Sequence, residues 1–158
     1  MPWTMNDCAQ AVAETGLRYH HDQAEEVIRL VFVTSRYLNL RGEHLAVVNL
    51  SLPAGGERLR ASIERAIAVG PDPAAACLDA CRFAASMPLV GVEYDEDFDN
   101  LRLVVESPLA DGRLTPPQLR SMIDRLVDAA EIWQAVHERQ HAAGEGLLGP
   151  TESAEKAA

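Results

Sequence analysis

Apolar residues recur along this chain at two periods, and the alternation between the two lays out its elements. Leu119, Met122, Ile123, Leu126, Val127, Ala130, Trp133 and Val136 fall at steps of three and four, which is one stripe along a helix. Arg120, Asp124, Arg125, Asp128 and Glu131 fall mostly outside that stripe and are expected to stay wet. Ahead of it, Thr115-Pro-Pro-Gln118 has the form of a capping box, with Pro116 at the first helical position, where a missing N–H costs nothing. A long amphipathic helix is therefore expected to about His137, and a stripe of that length needs a sheet face to cover it.

The residues before this helix carry the other period. Val90, Val92 and Tyr94 share one face of a strand over 89–94, and Leu101, Leu103 and Val105 share one face of a strand over 101–106. The polar run Asp95-Glu-Asp-Phe-Asp-Asn100 between them suits a turn, so 89–106 reads as a β-hairpin. Upstream, Val27 to Tyr37 is β-branched and nearly continuous. It fits a central strand buried on both faces, or one side of a strongly apolar sheet. Arg41-Gly42 turns the chain, and Leu45 to Leu52 returns as a strand that ends at Pro53. Residues 57–69 satisfy both periods; a strand over 58–63 is preferred.

Helices are expected at 5–15, with Thr4 as cap, Asp7 three residues on and Gly16 at the end, and from Ala74 to Met87, with Asp72-Pro73 at its start and Pro88 after it. Leu17 to Asp22 reads as a short strand, and 142–158, poor in apolar residues, as a disordered tail. The fold class is α+β, in the order α-β-β-β-α-β-β-α. An antiparallel sheet of about five strands carries helices packed on it, and residues 1–141 form a single domain.

Charge narrows the possible partners. Of 158 residues, 47% are hydrophobic, enough for a packed core, and the formal net charge is −10. A uniformly acidic chain repels phosphate backbones and anionic membrane surfaces, so neither nucleic acid nor membrane is an expected partner. Three cysteines are too few for a disulfide framework and fit a reducing compartment. The opening residues lack the basic and apolar regions of a signal peptide, and no apolar run approaches the roughly 20 residues of a membrane helix. A cytoplasmic protein is expected.

No catalytic, cofactor or metal site is assigned, because each chemical candidate has a plainer explanation. Asp95, Asp97 and Asp99 alternate and Glu106 stands twelfth in that count, as in a calcium loop. However, Asn100 holds the glycine position, and a strand from Leu101 would carry Glu106 roughly 16 Å away. A solvated turn is the expectation. His20-His21-Asp22 is a metal-like or acid–base cluster with no second ligand pair near it, and His44, His137 and His141 are scattered. Cys77 and Cys81, four apart on one helix, supply half a zinc site but pack equally well as small apolar side chains. Phosphate-binding glycine loops, nucleophile elbows and zinc-protease motifs are absent.

The passage Leu89-Val-Gly-Val-Glu-Tyr94, Asn100-Leu-Arg-Leu-Val-Val-Glu106 and Leu114-Thr-Pro-Pro-Gln-Leu119, in this element order, resembles the end of a YbjN-type domain. That family is described as bacterial sensory transduction regulators and shares its fold with type III secretion chaperones. The resemblance spans roughly residues 5–137. It implies a non-enzymatic, chaperone-like or regulatory module, often a homodimer, that grips a segment of a partner protein. The alternative is a small enzyme, or a small-molecule or metal sensor, with a site assembled from His20, His21, Arg29 and the acidic turn.

Overall fold

The computed structural model describes residues 2–109 and 112–147. In chain order they form α1 (Met5–Glu14), β1 (His20–Asp22), β2 (Val27–Val33), β3 (Leu45–Ser51), a single 3-10 turn (Ala54–Gly56), β4 (Arg58–Ala68), α2 (Pro73–Ser86), β5 (Gly91–Asp95), β6 (Asn100–Pro108) and α3 (Pro116–Leu147). The strands make one antiparallel sheet in the order β1-β2-β3-β4-β6-β5. The hairpin over 89–106 and the strand preferred at 58–63 are both present, and the second is longer than expected. The sixth strand is the three-residue β1, from the segment read as a short strand.

Both flanking helices start on reciprocal caps. Asp7 N–H donates to Thr4 Oγ1 while the Asp7 carboxylate accepts from Thr4 N–H at 2.9 Å. Gln118 N–H donates to Thr115 Oγ1, and Thr115 N–H donates to Gln118 Oε1 at 2.9 Å. Gly16, at φ 78°, takes the left-handed conformation after α1. The 3-10 turn has a different constraint. A Cβ on Gly56, itself at φ 88°, would lie 2.7 Å from the Trp3 carbonyl oxygen, so glycine there lets the buried Trp3 seat its backbone against the turn.

One face of the sheet builds the core. Ile28 and Leu30, Ala46, Val48 and Leu50, Leu59, Ala61 and Ile63, and Leu101, Leu103 and Val105 point inward from successive strands. Leu119, Ile123, Leu126 and Ala130 of α3 and Cys8 and Val12 of α1 meet them with no exposed surface. Burial pushes the Cys8 thiol up to about 12. α1 and α3 pack on each other and on this face, whereas α2 lies against β5 at the sheet's edge.

Two boundaries need correction, and one ambiguity finds its cause. β2 stops at Val33 rather than Tyr37, and of the two burial readings it takes the second, buried on one face. Residues 34–37 leave the strand because Thr34 Oγ1 donates to the Tyr37 carbonyl at 2.7 Å and closes a turn. The ambiguity at 57–69 comes from a bulge between Ile63 and Ile67, where Arg65 sits at φ 49°. The two extra residues put Ile63, Ala66 and Ile67 at helix-like spacing inside a strand. Finally, α3 runs past 142 to Leu147, into the segment read as tail; 148–158 lie outside the described residues.

Candidate docking surface

Because the helices take one side, the other side of the sheet is the candidate site. Its two halves differ. At one end of β2 and β3 the outward positions are apolar, where Val31 pairs across the strands with Val47, and Val33 with Leu45; at the other end they are polar, with Arg29 opposite Asn49. Val31 is 62% exposed, Val33 86% and Val47 39%. β-branched side chains hold a strand pair extended whether or not they are covered, but here nothing described covers them.

On β4, β6 and β5 the outward positions are charged and interlocked. The Arg60 guanidinium grips Glu93 at 2.5 and 3.0 Å and Glu106 at 2.8 Å. Arg58 reaches Glu106 at 3.5 Å. Arg102 reaches Asp95 at 2.6 Å, Glu64 at 3.4 Å and Glu93 at 3.8 Å. The hydrogen bonds from Arg60 hold the Glu93 carboxyl below its ordinary range and, in return, keep the guanidinium more firmly protonated. Val104, between these chains, is buried beneath them although it points outward.

The candidates named from sequence are not brought together. His20 faces Arg29 across β1 and β2, and Asp22 binds Arg29 at 2.7 Å while accepting the Ala24 and Glu25 N–H groups. The acidic turn joins β5 to β6, and β1 and β5 are the two opposite edges of the sheet. Within that turn Asp95 is almost enclosed and paired with Arg102, so it is not a solvated residue as expected. Asp99 accepts from Tyr94 OH at 2.6 Å, Phe98 lies 3.9 Å beneath the Arg65 guanidinium, and Glu106 is tied to Arg58 and Arg60. His44 Nδ1 stands 3.1 Å from the Tyr37 carbonyl, and His137 stacks on Trp133. The side chain of His141 lies outside the described residues. Cys77 packs against the core, but Cys81 is exposed. Among the described residues no group of three His, Cys, Asp or Glu side chains is placed to hold a metal ion.

Glu131 carries a role that its sequence position conceals. Its carboxylate leaves α3 to accept the backbone N–H groups of Ser35 at 2.5 Å, Arg36 at 2.7 Å and Tyr37 at 2.9 Å. Partial burial pushes its pKa up, but the three donors outweigh that and hold the carboxyl below its ordinary range. Tyr37 is buried and donates from its OH to the Ala66 carbonyl at 2.9 Å, which fixes the same loop to β4.

The chain has the fold of several solved structures. YbjN from E. coli aligns at a TM-score of 0.62 and 14% identity, over 85% of this chain and 94% of that one. The ExsC–ExsE complex aligns at 0.59 and 20%, over 85% and 96%, and the HopA1–SchA chaperone–effector complex at 0.54 and 14%, over 80% and 88%. No protein-family model matches the chain, and a search of curated proteins finds no match.

Proposed function

We propose that this protein is a non-enzymatic, chaperone-like binding module that holds an extended segment of another polypeptide on the uncovered face of its sheet. The observation that carries the reading is the apolar half of that face: three valines left exposed side by side on two strands. Isolated exposed apolar residues are ordinary, but a contiguous patch on a flat surface marks a place where another chain docks. A strand or helix of a partner laid there buries apolar area, and the locked charge lattice beside it discourages the partner from spreading further. The shared fold with a chaperone–effector complex supports the same class of role. A net charge of −10 favours basic partners and fast association. The separation of the polar candidates onto opposite sheet edges argues against an assembled catalytic or metal site. A cytoplasmic setting follows from the sparse cysteines.

A second copy of the chain is a further partner in this reading. Ala74, Leu78, Cys81 and Ala85 form an exposed stripe on α2, a helix in which only Ala80 and Phe83 are buried.

Affinity purification of the full chain from its native host, followed by mass spectrometry, tests the proposal. Val33→Glu changes a largely solvated side chain, so stability should stay within about 0.5 kcal/mol. The retained partner should be lost. Retention that survives this change places the partner elsewhere, and a chain that retains nothing under crosslinking removes the reading.

A further inference from the structure

We infer that the cleft between the 38–40 loop, the end of β4 and the two C-terminal helices receives a bulky apolar side chain that is followed by a lysine or arginine in a partner's segment. The inference rests on the polypeptide-holding role, but not on the sheet face as its place.

The cleft has a volume of about 450 Å³, within the roughly 300–1,000 Å³ range of ordinary ligand clefts. Leu38 and Leu40 line it from the loop, Val69 from beyond the end of β4, Ala75 from α2 and Trp133 from α3. Leu40 is half exposed, so the wall is apolar and reachable. Among the described residues, the lining includes two carboxylates, Asp72 and Asp79, no lysine or arginine, and one histidine, His137, which stacks on Trp133. Asp72 caps α2 by accepting the Ala75 N–H, which leaves its charge in place. Asp79 meets Arg82 at 3.1 Å, an exposed pair within one helix that holds it only weakly. An apolar cleft whose α2 wall carries carboxylates is complementary to an apolar anchor with a cationic neighbour.

One wall of the cleft is anchored before anything binds. Glu131 holds Ser35, Arg36 and Tyr37, Tyr37 OH is tied to Ala66, and Thr34 donates to the Tyr37 carbonyl. Leu38 and Leu40 therefore extend from a pinned turn, and an occupant spends little of its binding energy on ordering them.

The test is a titration of the full chain, followed by NMR at the Trp133 indole, the Leu38 and Leu40 methyls and, on the sheet face, the Val31, Val33 and Val47 methyls. Two blocked decapeptides serve as probes, one of alternating leucine and arginine and one with glutamate in place of arginine. The cationic peptide should shift the cleft signals and bind about tenfold more tightly than the acidic one, with Asp79→Asn removing about threefold to fivefold of that preference. Leu40→Ser, at a half-exposed site, should weaken it without changing the melting temperature, and Val33→Glu should leave it unaltered. Equal binding of the two peptides, or no shift at the cleft, overturns the inference. Shifts confined to Val31, Val33 and Val47 also overturn it while leaving the sheet-face reading intact.

Discussion

Glu131 accepts three consecutive backbone N–H groups from a loop more than ninety positions away in sequence. Removing that carboxylate breaks three charge-assisted hydrogen bonds, two at the exposed Ser35 and Arg36 and one at the buried Tyr37. Glu131→Gln keeps the shape but loses the charge and one acceptor oxygen; water can reach the Ser35 and Arg36 donors, so it should cost about 1 kcal/mol in urea unfolding at pH 7. The pH dependence has a definite sign. The folded carboxyl titrates below its ordinary value of 4.5, so the unfolded chain binds the proton first as pH falls. The stabilisation is complete above about pH 4.5 and is lost as pH drops through the lower folded value. The gap between wild type and Glu131→Gln should therefore narrow in acid; a gap that stays constant from pH 7 to pH 3 means the carboxylate is not what holds the loop. Glu131 was illegible from sequence because periodicity along a helix reports only which side faces the core. It says nothing of a loop folded back beside the polar side.

At the scale of elements, the caps and periods that mark α1, α2, α3 and the 89–106 hairpin are local, so they could be read directly from residues such as Thr4, Asp72 and Thr115. β4 resisted because its bulge at Arg65 breaks the two-residue alternation. The charge lattice resisted for another reason: Arg60, Glu93 and Glu106 come from three strands, and pairing between distant strands leaves no mark in spacing. This lattice sits on half-open ground, with the Glu93 side chain 44% exposed and that of Arg60 18%. Solvent screening should keep it modest. A double-mutant cycle of Arg60→Met with Glu93→Gln should return a coupling of about 1 kcal/mol, falling by half or more in 1 M salt. A coupling indifferent to salt would mean that packing of the arginine stem over Val104, rather than charge, holds these strands together.

At the scale of the whole molecule, two apolar surfaces stay uncovered among the described residues, the valine face and the outer stripe of α2. The second bears on how many copies act together. Ala74, Leu78, Cys81 and Ala85 recur at steps of four, three and four, the seam spacing of two helices that pack side by side. Leu78 is 53% exposed and Leu89, just beyond the helix, 76%. The small residues let a second backbone approach, and the two charged residues of α2, Asp79 and Arg82, pair with each other, so this helix adds no net charge where two copies of a strongly acidic chain would meet. A twofold pairing would also bring the two β5 edges near each other. Light scattering after size exclusion should give twice the 17.2 kDa chain mass at micromolar concentration. Leu78→Glu should return it to one chain with the circular-dichroism melt nearly unchanged, because the side chain is mostly in water in the single copy. If Leu78→Glu leaves a dimer in place, the copies meet elsewhere, and Val33→Glu then separates the remaining possibility. A dimer that dissolves on Val33→Glu instead would mean that the valine face is filled by a second copy and is not free to hold a different partner.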